Sequence, residues 1–397
     1  MKSRNKWIQA LAWLLCIALF CGLISIAWSY RKMNKARSEE IKQRAEKIEE
    51  EDNQKTDAQA AIYEDFYSQL ELRRFVCWGD SAMVGQEEAS LPAALQTVVD
   101  DNLFTPLENA FSRVLENDKY SLPSVRVNNM GVVNEGMRQI LVRAGVNSME
   151  VGDWMQIPAD TEPVALRLLD DEAKESKTPD DELRFAKQTD VSFGKVWISD
   201  VEGTLVETDD WFDAEHPRYA FVRDEEGRAM SVGRGTEVEI ESGFDYIGDV
   251  PVFFFENEGE RPVDEVVSDM EDLVNRYANT EEDESSDDAG ADEAGAAAAA
   301  AAAGSTGAEA APEVESGPVY EIPFVVICTT EQGSELDSAL AEAFGSRYIR
   351  NQAATAEMTE KSYKELAQQV YDALNEQGCF DEIRGKITSV VEEAEGM

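Results

Sequence analysis

The chain opens on an apolar run, Trp7 to Ser29, that carries no charge over 23 residues and is interrupted only by Gln9, Gly22, Ser25 and Ser29. About 20 such residues span a bilayer core. Trp7, Trp28 and Tyr30 stand near its ends, where interfacial aromatics belong. The pattern predicts an N-terminal transmembrane helix, with membrane contact through residues 7–29. A cleaved signal peptide is the competing reading, because Ala27-Trp28-Ser29 is a passable small-x-small site. Its apolar core, however, would run only about 7–15 residues. From Lys35 to Leu72 the sequence turns polar and helix-forming, with pairs such as Glu40 and Arg44 at helical spacing. Few heptad positions there are apolar, so a solvated single helix is the expected stalk and a coiled coil the weaker option.

Beyond the stalk the period shortens. Arg74 to Trp78 is a compact apolar run that predicts a buried strand, and Gly79-Asp80-Ser81 turns the chain into a helical pattern. Leu91 to Leu115 repeats apolar residues at helical spacing, with Pro92 near its start. Val125 to Met130 predicts the next strand and Gly136 to Ala144 a helix, the alternation of a parallel α/β sheet. From Met149 to about Ile247 the runs become short and alternating, as in Met155–Ile157, Val164–Leu168, Lys195–Ile198, Tyr219–Val222 and Glu237–Ile240. Gly, Pro, Asp and Asn punctuate them, which predicts an all-β insertion. Val250 to Phe255 then reads as a fully buried strand and Val263 to Tyr277 as a helix. Phe324–Cys328, Ser334–Phe344, Tyr348–Arg350 and Thr359–Asn375 complete the α/β pattern.

Thr280 to Pro318 breaks that pattern. It is acidic, rich in Ser and Gly, and holds eight consecutive alanines, Ala296 to Ala303. Such a segment buries too little apolar surface to order itself, although polyalanine alone is transiently helical. The expected organisation is therefore a cytoplasmic tip and anchor over 1–30, a helical stalk over 31–72 and a first α/β part over 73–148. A β-rich insertion over 149–247 and a second α/β part over 248–279 follow. A disordered linker over 280–318 and a last α/β part over 319–397 close the chain.

Composition narrows the partners. The formal net charge is −45, and nucleic acid is excluded because phosphate binding needs clustered Lys and Arg. Part of that charge only solvates the linker, since Glu281 to Glu315 holds eleven acids and no base. Of five cysteines, Cys77 and Cys328 fall in strand-like apolar runs and read as small core residues. No spacing suggests a disulfide framework, and no Gly-rich phosphate loop or His/Cys cluster calls for a cofactor or a metal. Asp209-Asp210 reads as solvated loop charge more readily than as a loose calcium site. The chain has one histidine, His216, in the loop-like stretch Ala214-Glu-His-Pro217.

Ser81 therefore stands at the carboxyl end of a strand and the amino end of a helix. Open α/β sheets bind ligands at that edge, where backbone N–H groups meet developing negative charge. An ordinary capped turn has the same short sequence.

The longer string Phe75-Val-Cys-Trp-Gly-Asp-Ser81, with Gly85 four residues on, resembles the first block of the SGNH/GDSL hydrolases, in particular a bacterial branch with a large β-rich insertion. Pro158-Ala-Asp-Thr-Glu-Pro163 and Val201-Glu-Gly-Thr-Leu205 resemble motifs of that insertion. With gaps, the resemblance runs from about Arg73 to Phe380. It implies a flavodoxin-like parallel sheet with helices on both faces, interrupted by the all-β insertion. It also implies an extracytoplasmic body on a single-pass bacterial membrane anchor. The charge rule alone leaves orientation nearly balanced, with Lys2, Arg4 and Lys6 before the span and Arg31, Lys32, Lys35 and Arg37 after it.

By the same resemblance Ser81 is the nucleophile, Asn134 takes the place of a glycine that donates its backbone N–H to the oxyanion hole, and Asn257 supplies the side-chain oxyanion donor. The last block departs from the pattern. The family carries Asp-x-x-His before a Leu-Thr-x-x-x-Tyr helix start. Here Met358-Thr-Glu-Lys-Ser-Tyr363 matches that start, which leaves Ala354 in the aspartate position and Glu357 in the histidine position. A carboxylate of ordinary pKa is a poor base for a serine hydroxyl. The expected protein is thus an SGNH/GDSL-like pseudoenzyme at the cell surface that binds a cell-envelope glycan, an ester-decorated polymer or a protein partner. The alternatives are an active serine esterase using Ser81 with an unconventional base, and a structural spacer.

Overall fold

A computed structural model describes residues 2–85, 89–170, 182–187, 193–214, 216–241, 250–256, 261–278, 320 and 322–396, without the side chains of residues 2–12, 15, 16 and 355. The linker expected over 280–318 lies outside the described residues. Backbone contacts divide the chain into two compact units.

The smaller unit comprises Met1–Leu70, Pro106–Leu122 and Thr388–Met397. Its main element is α1 (Lys2–Ser68), one continuous helix of 67 residues. The stalk over 35–51 is laced by exposed i,i+4 pairs, among them Arg44–Glu40 at 2.8 Å and Lys47–Glu51 at 3.5 Å. Such pairs each contribute only about 0.2–0.5 kcal/mol. The last turns are not solvated all round as the sequence pattern suggested: one face is covered at Tyr63. Tyr63 is buried, its ring 5.1 Å from that of Phe111 and tilted against it, and it donates its hydroxyl to the Ser121 carbonyl at 2.7 Å. Burial, with the neighbouring Tyr67, pushes its pKa up to about 12.

The predicted transmembrane helix gains no support from the fold: among the described residues, no helix is long and apolar enough to cross a membrane. The first half of the apolar run includes the side chains that are not described.

The larger unit comprises Glu71–Thr105 and Pro123–Ile387. It begins with β1 (Phe75–Gly79), the one-turn α2 (Ser81–Val84), α3 (Leu91–Ala110) as far as Thr105, β2 (Val127–Asn129) and α4 (Met137–Arg143). The β-rich segment follows, with β3 (Glu150–Val151), β4 (Met155–Ile157), β5 (Val164–Ala165), β6 (Leu168–Leu169), β7 (Val196–Ile198), β8 (Val201–Trp211), β9 (Pro217–Arg223), β10 (Met230–Val232) and β11 (Val238–Ile240). The chain then returns through β12 (Val250–Glu256), α5 (Val263–Ala278), β13 (Val325–Thr329), α6 (Glu335–Phe344), β14 (Tyr348–Asn351), α7 (Glu360–Glu376) and the part of α8 (Asp381–Glu395) up to Ile387.

The result is mixed α/β. Its main sheet is five-stranded and wholly parallel, in the order β2-β1-β12-β13-β14. The β-rich segment leaves after β2 and rejoins at β12, so β1 sits between the strand that follows it and one that arrives much later. Phe75 pairs with Val250 and Gly79 with Phe254. That reversal of strand order is where ligands bind in open sheets. Alternate strand residues face opposite sides. Val76, Trp78, Phe253, Phe255, Val326 and Cys328 share one core with apolar residues of α4, α5 and α6. On the other side Phe75 lies 6.2 Å from the Phe380 ring, which stacks on Tyr371 of α7.

The β-rich segment gathers a second core, to which α4 adds Val142. A second five-stranded sheet runs β11-β7-β8-β9-β5, and β10-β4 and β3-β6 form antiparallel pairs. Ile157, Phe185, Phe193, Val196, Ile198, Tyr219 and Phe221 are all buried there. Phe193 meets Phe185 and Tyr219 edge-on.

Candidate functional site

The Gly79-Asp80-Ser81 turn is dictated by close backbone approach. A Cβ built on Gly79 would stand 2.1 Å from the Phe254 carbonyl oxygen of the adjacent strand, so only glycine fits. Asp80 then caps α2, its Oδ1 accepting the Ala82 N–H at 2.8 Å. Its Oδ2 accepts the Glu256 N–H at 2.7 Å and ties the end of β1 to the end of β12. Asp80 is buried and both of its oxygens take backbone N–H bonds.

Ser81 follows, half-buried, and its Oγ accepts the backbone N–H of Asn134 at 2.9 Å. Asn134 reaches it because the chain beyond β2 continues along β1, with Met130 N–H bonded to Cys77 and Val132 N–H to Gly79. Asn134 adopts φ +61°, the left-handed region that asparagine tolerates better than most residues. Two positions singled out in the sequence, Ser81 and Asn134, are therefore brought together. Asn257 lies outside the described residues.

The site extends under α2. Tyr363, the tyrosine of the Met358-to-Tyr363 helix start, donates its hydroxyl to the Ala82 carbonyl at 3.1 Å. Burial foremost, then the charges of Glu256 and Asp80, pushes its pKa up to about 12. Thr359 and Ser362 close a reciprocal capping box at the start of α7. Glu357 is exposed in the helical turn Thr355–Glu357, its N–H bonded to the Ala354 carbonyl. A cavity of about 490 Å³ opens at the carboxyl ends of β13 and β14, lined by Thr329, Thr330, Glu331, Gln332, Gln352 and Ala354. Cys328 is buried beside this edge, and desolvation, with Asp80 and Asp337, pushes its thiol up to about 12. It is a core residue and not a nucleophile.

His216 is placed elsewhere. It sits at the turn between β8 and β9 in the β-rich segment, where Nδ1 lies 2.8 Å from Asp213 Oδ1 and its carbonyl accepts the Phe212 N–H. The structure pairs Ser81 with Asn134 and His216 with Asp213; among the described residues, Ser81 and His216 share no hydrogen bond. Among the described residues, no acceptor takes the Ser81 hydroxyl proton. An N–H donated to Oγ favours negative charge on that oxygen but cannot remove its proton.

Two site residues escaped the sequence reading. Glu135, next to Asn134, and Arg143 of α4 are both buried and form a bidentate pair, with Arg143 Nε at 2.9 and 2.8 Å from the two Glu135 oxygens. Arg143 Nη2 also donates to the Met130 carbonyl at 2.7 Å, and the guanidinium lies 5.1 Å over the Trp78 ring. The available signal was periodicity: Arg143 falls on the same helix face as Met137 and Ile140, a buried charge that demands a partner.

No family model, no curated protein and no solved structure matches this chain.

Proposed function

We propose that this protein is an SGNH/GDSL hydrolase-like binding module, impaired in catalysis, that presents a serine-centred pocket to a cell-envelope glycan, an ester-decorated polymer or a protein partner. The strand order β2-β1-β12-β13-β14 supports a flavodoxin-like sheet interrupted by an all-β insertion. Ser81 at the carboxyl edge of β1, with the Asn134 N–H on its oxygen, supports a pocket of the oxyanion-hole type. In this reading Asn257 supplies a further donor, and Glu357 occupies the place of the base without replacing it.

One observation carries the impaired reading. The sole histidine is held by Asp213 on a hairpin of the β-rich segment, not on Ser81. Loss of the base from a serine triad removes orders of magnitude of rate.

The anchor belongs to the same proposal. Residues 7–29 are uncharged, and Leu14, Phe20, Leu23 and Ile24 are more than half exposed around the helix. Lipid is the natural cover for such a surface, with the body outside the cytoplasm of a bacterium.

Labelling of the full chain with a fluorophosphonate probe, beside Ser81→Ala, tests the reading. Absent labelling and absent turnover of simple acetyl esters are expected; Ser81-dependent turnover overturns it. A second reading, an acyl hydrolase with an unconventional base, is favoured by the amide already aimed at Ser81 Oγ.

A further inference from the structure

Arg143 touches three segments that meet at the serine: the Trp78 ring on β1, the Met130 carbonyl at the end of β2, and the Glu135 carboxylate next to Asn134. Arg143 and Glu135 are nine-tenths or more buried. A buried ion pair is a weak source of net stability, because desolvating both charges offsets their attraction. Its effect is geometric: two carboxylate oxygens on a planar guanidinium leave Glu135 one orientation.

The helix that carries Arg143 is held at its other end by the β-rich segment. Arg138 pairs with the buried Asp170, and Gln139 Nε2 donates to the Arg184 carbonyl at 2.9 Å. A single two-turn helix thus connects the insertion to the loop that aims the Asn134 amide.

We infer that Arg143 is a positioning residue which, through Glu135, aims the Asn134 N–H at Ser81 Oγ, and that α4 couples this aim to the β-rich insertion. The inference rests on the reading of Ser81 and Asn134 as one pocket. A ligand that shifts Asp170 or the Arg184 segment would then move the donor at the serine, with no contact to Ser81 itself.

Hydrogen–deuterium exchange of the full chain, followed on the peptide containing Asn134, tests both levels. Ser81→Ala removes the acceptor and is expected to raise exchange of that peptide about five- to tenfold, the worth of one hydrogen bond. No change on Ser81→Ala overturns the pocket itself. Arg143→Lys keeps the charge but not the bidentate grip, and is expected to raise exchange similarly. The paired Glu135→Leu/Arg143→Leu variant keeps a packed core where a single change strands a charge, and should act alike. Both should leave the Val325–Thr329 peptide unchanged. If Ser81→Ala acts while the Arg143 variants do not, or if the Val325–Thr329 peptide loosens equally, positioning is overturned. Arg138→Ala/Gln139→Ala is expected to loosen the Asn134 peptide without altering Arg143; no response there overturns the coupling to the insertion.

Discussion

The backbone N–H of Asn134 meets Ser81 Oγ at 2.9 Å from a residue held at φ +61°. The contact depends on a conformation that β-branched side chains resist. Asn134→Gly should therefore leave stability within about 0.5 kcal/mol, because glycine enters this region freely. Asn134→Val should cost about 1–2 kcal/mol, the penalty of the left-handed region for a Cβ-bearing chain. Urea unfolding of the two variants checks the difference. Equal stabilities would show that the loop relaxes to another conformation.

Gly79 is fixed by its distance to the neighbouring strand and not by its own dihedrals. Gly79→Ala drives a methyl into the Phe254 carbonyl, so β1 and β12 must separate next to Asp80. A loss of about 1–3 kcal/mol is expected, as for other overpacked sites. The Asp80 bond to the Glu256 N–H should loosen with it, raising amide exchange at Glu256. A fully native melting temperature would refute the clash.

Much of this was legible in the chain. The strand at Phe75–Gly79, the helix from Val263, the return at Val325 and the β-rich stretch between them follow from apolar runs and their period, because buried strands and helix faces leave that mark directly. The short strands β3, β6 and β10 and the closing helix α8 left too weak a pattern. Ser81 and Asn134 were identified by motif, yet their contact depends on how far β2 continues along β1, which no local signal encodes. Tyr63 shows the opposite failure. The stalk reads as solvated because its charge pattern is helical throughout, and only the distant residues Phe111 and Ser121 explain the buried ring.

Under the proposed SGNH/GDSL-like reading, the absence of an Asp-x-x-His motif before Met358 admits a gain-of-function test. Tyr363 docks the start of α7 under α2, and Ala354 and Glu357 stand shortly before that start. Ala354→Asp with Glu357→His should supply the missing orienter and base together. Ser81-dependent hydrolysis of acetyl esters should rise about a hundredfold over the parent, the low end of general-base catalysis. No gain in a folded double variant would place the vacated base position elsewhere.

Tyr363 gives stability a marked dependence at high pH. Its folded pKa, about 12, lies above the ordinary tyrosine value of 10.0, so the native state keeps a proton that the unfolded chain releases. The contribution is fully present below pH 10 and is lost as pH rises toward 12. Tyr363→Phe forfeits the bond to the Ala82 carbonyl, about 1 kcal/mol at pH 8. It should also escape the alkaline loss, so the two proteins converge between pH 10 and 12. Parallel stability curves would contradict the burial of that hydroxyl.

The pairing of Phe75 with Val250 also sets a timetable. During synthesis β1 emerges early, yet one of its two partner strands is still unmade until the whole β-rich segment has been translated. At ordinary elongation rates that delay is roughly 10–35 s. An all-apolar strand edge stays uncovered meanwhile, and the serine turn cannot be completed before Glu256 arrives to bind Asp80. The segment's core, drawn mainly from its own strands with Val142 of α4 added, lets it collapse first and bring its two ends together. Truncations within it should therefore yield aggregates, not a working half-domain.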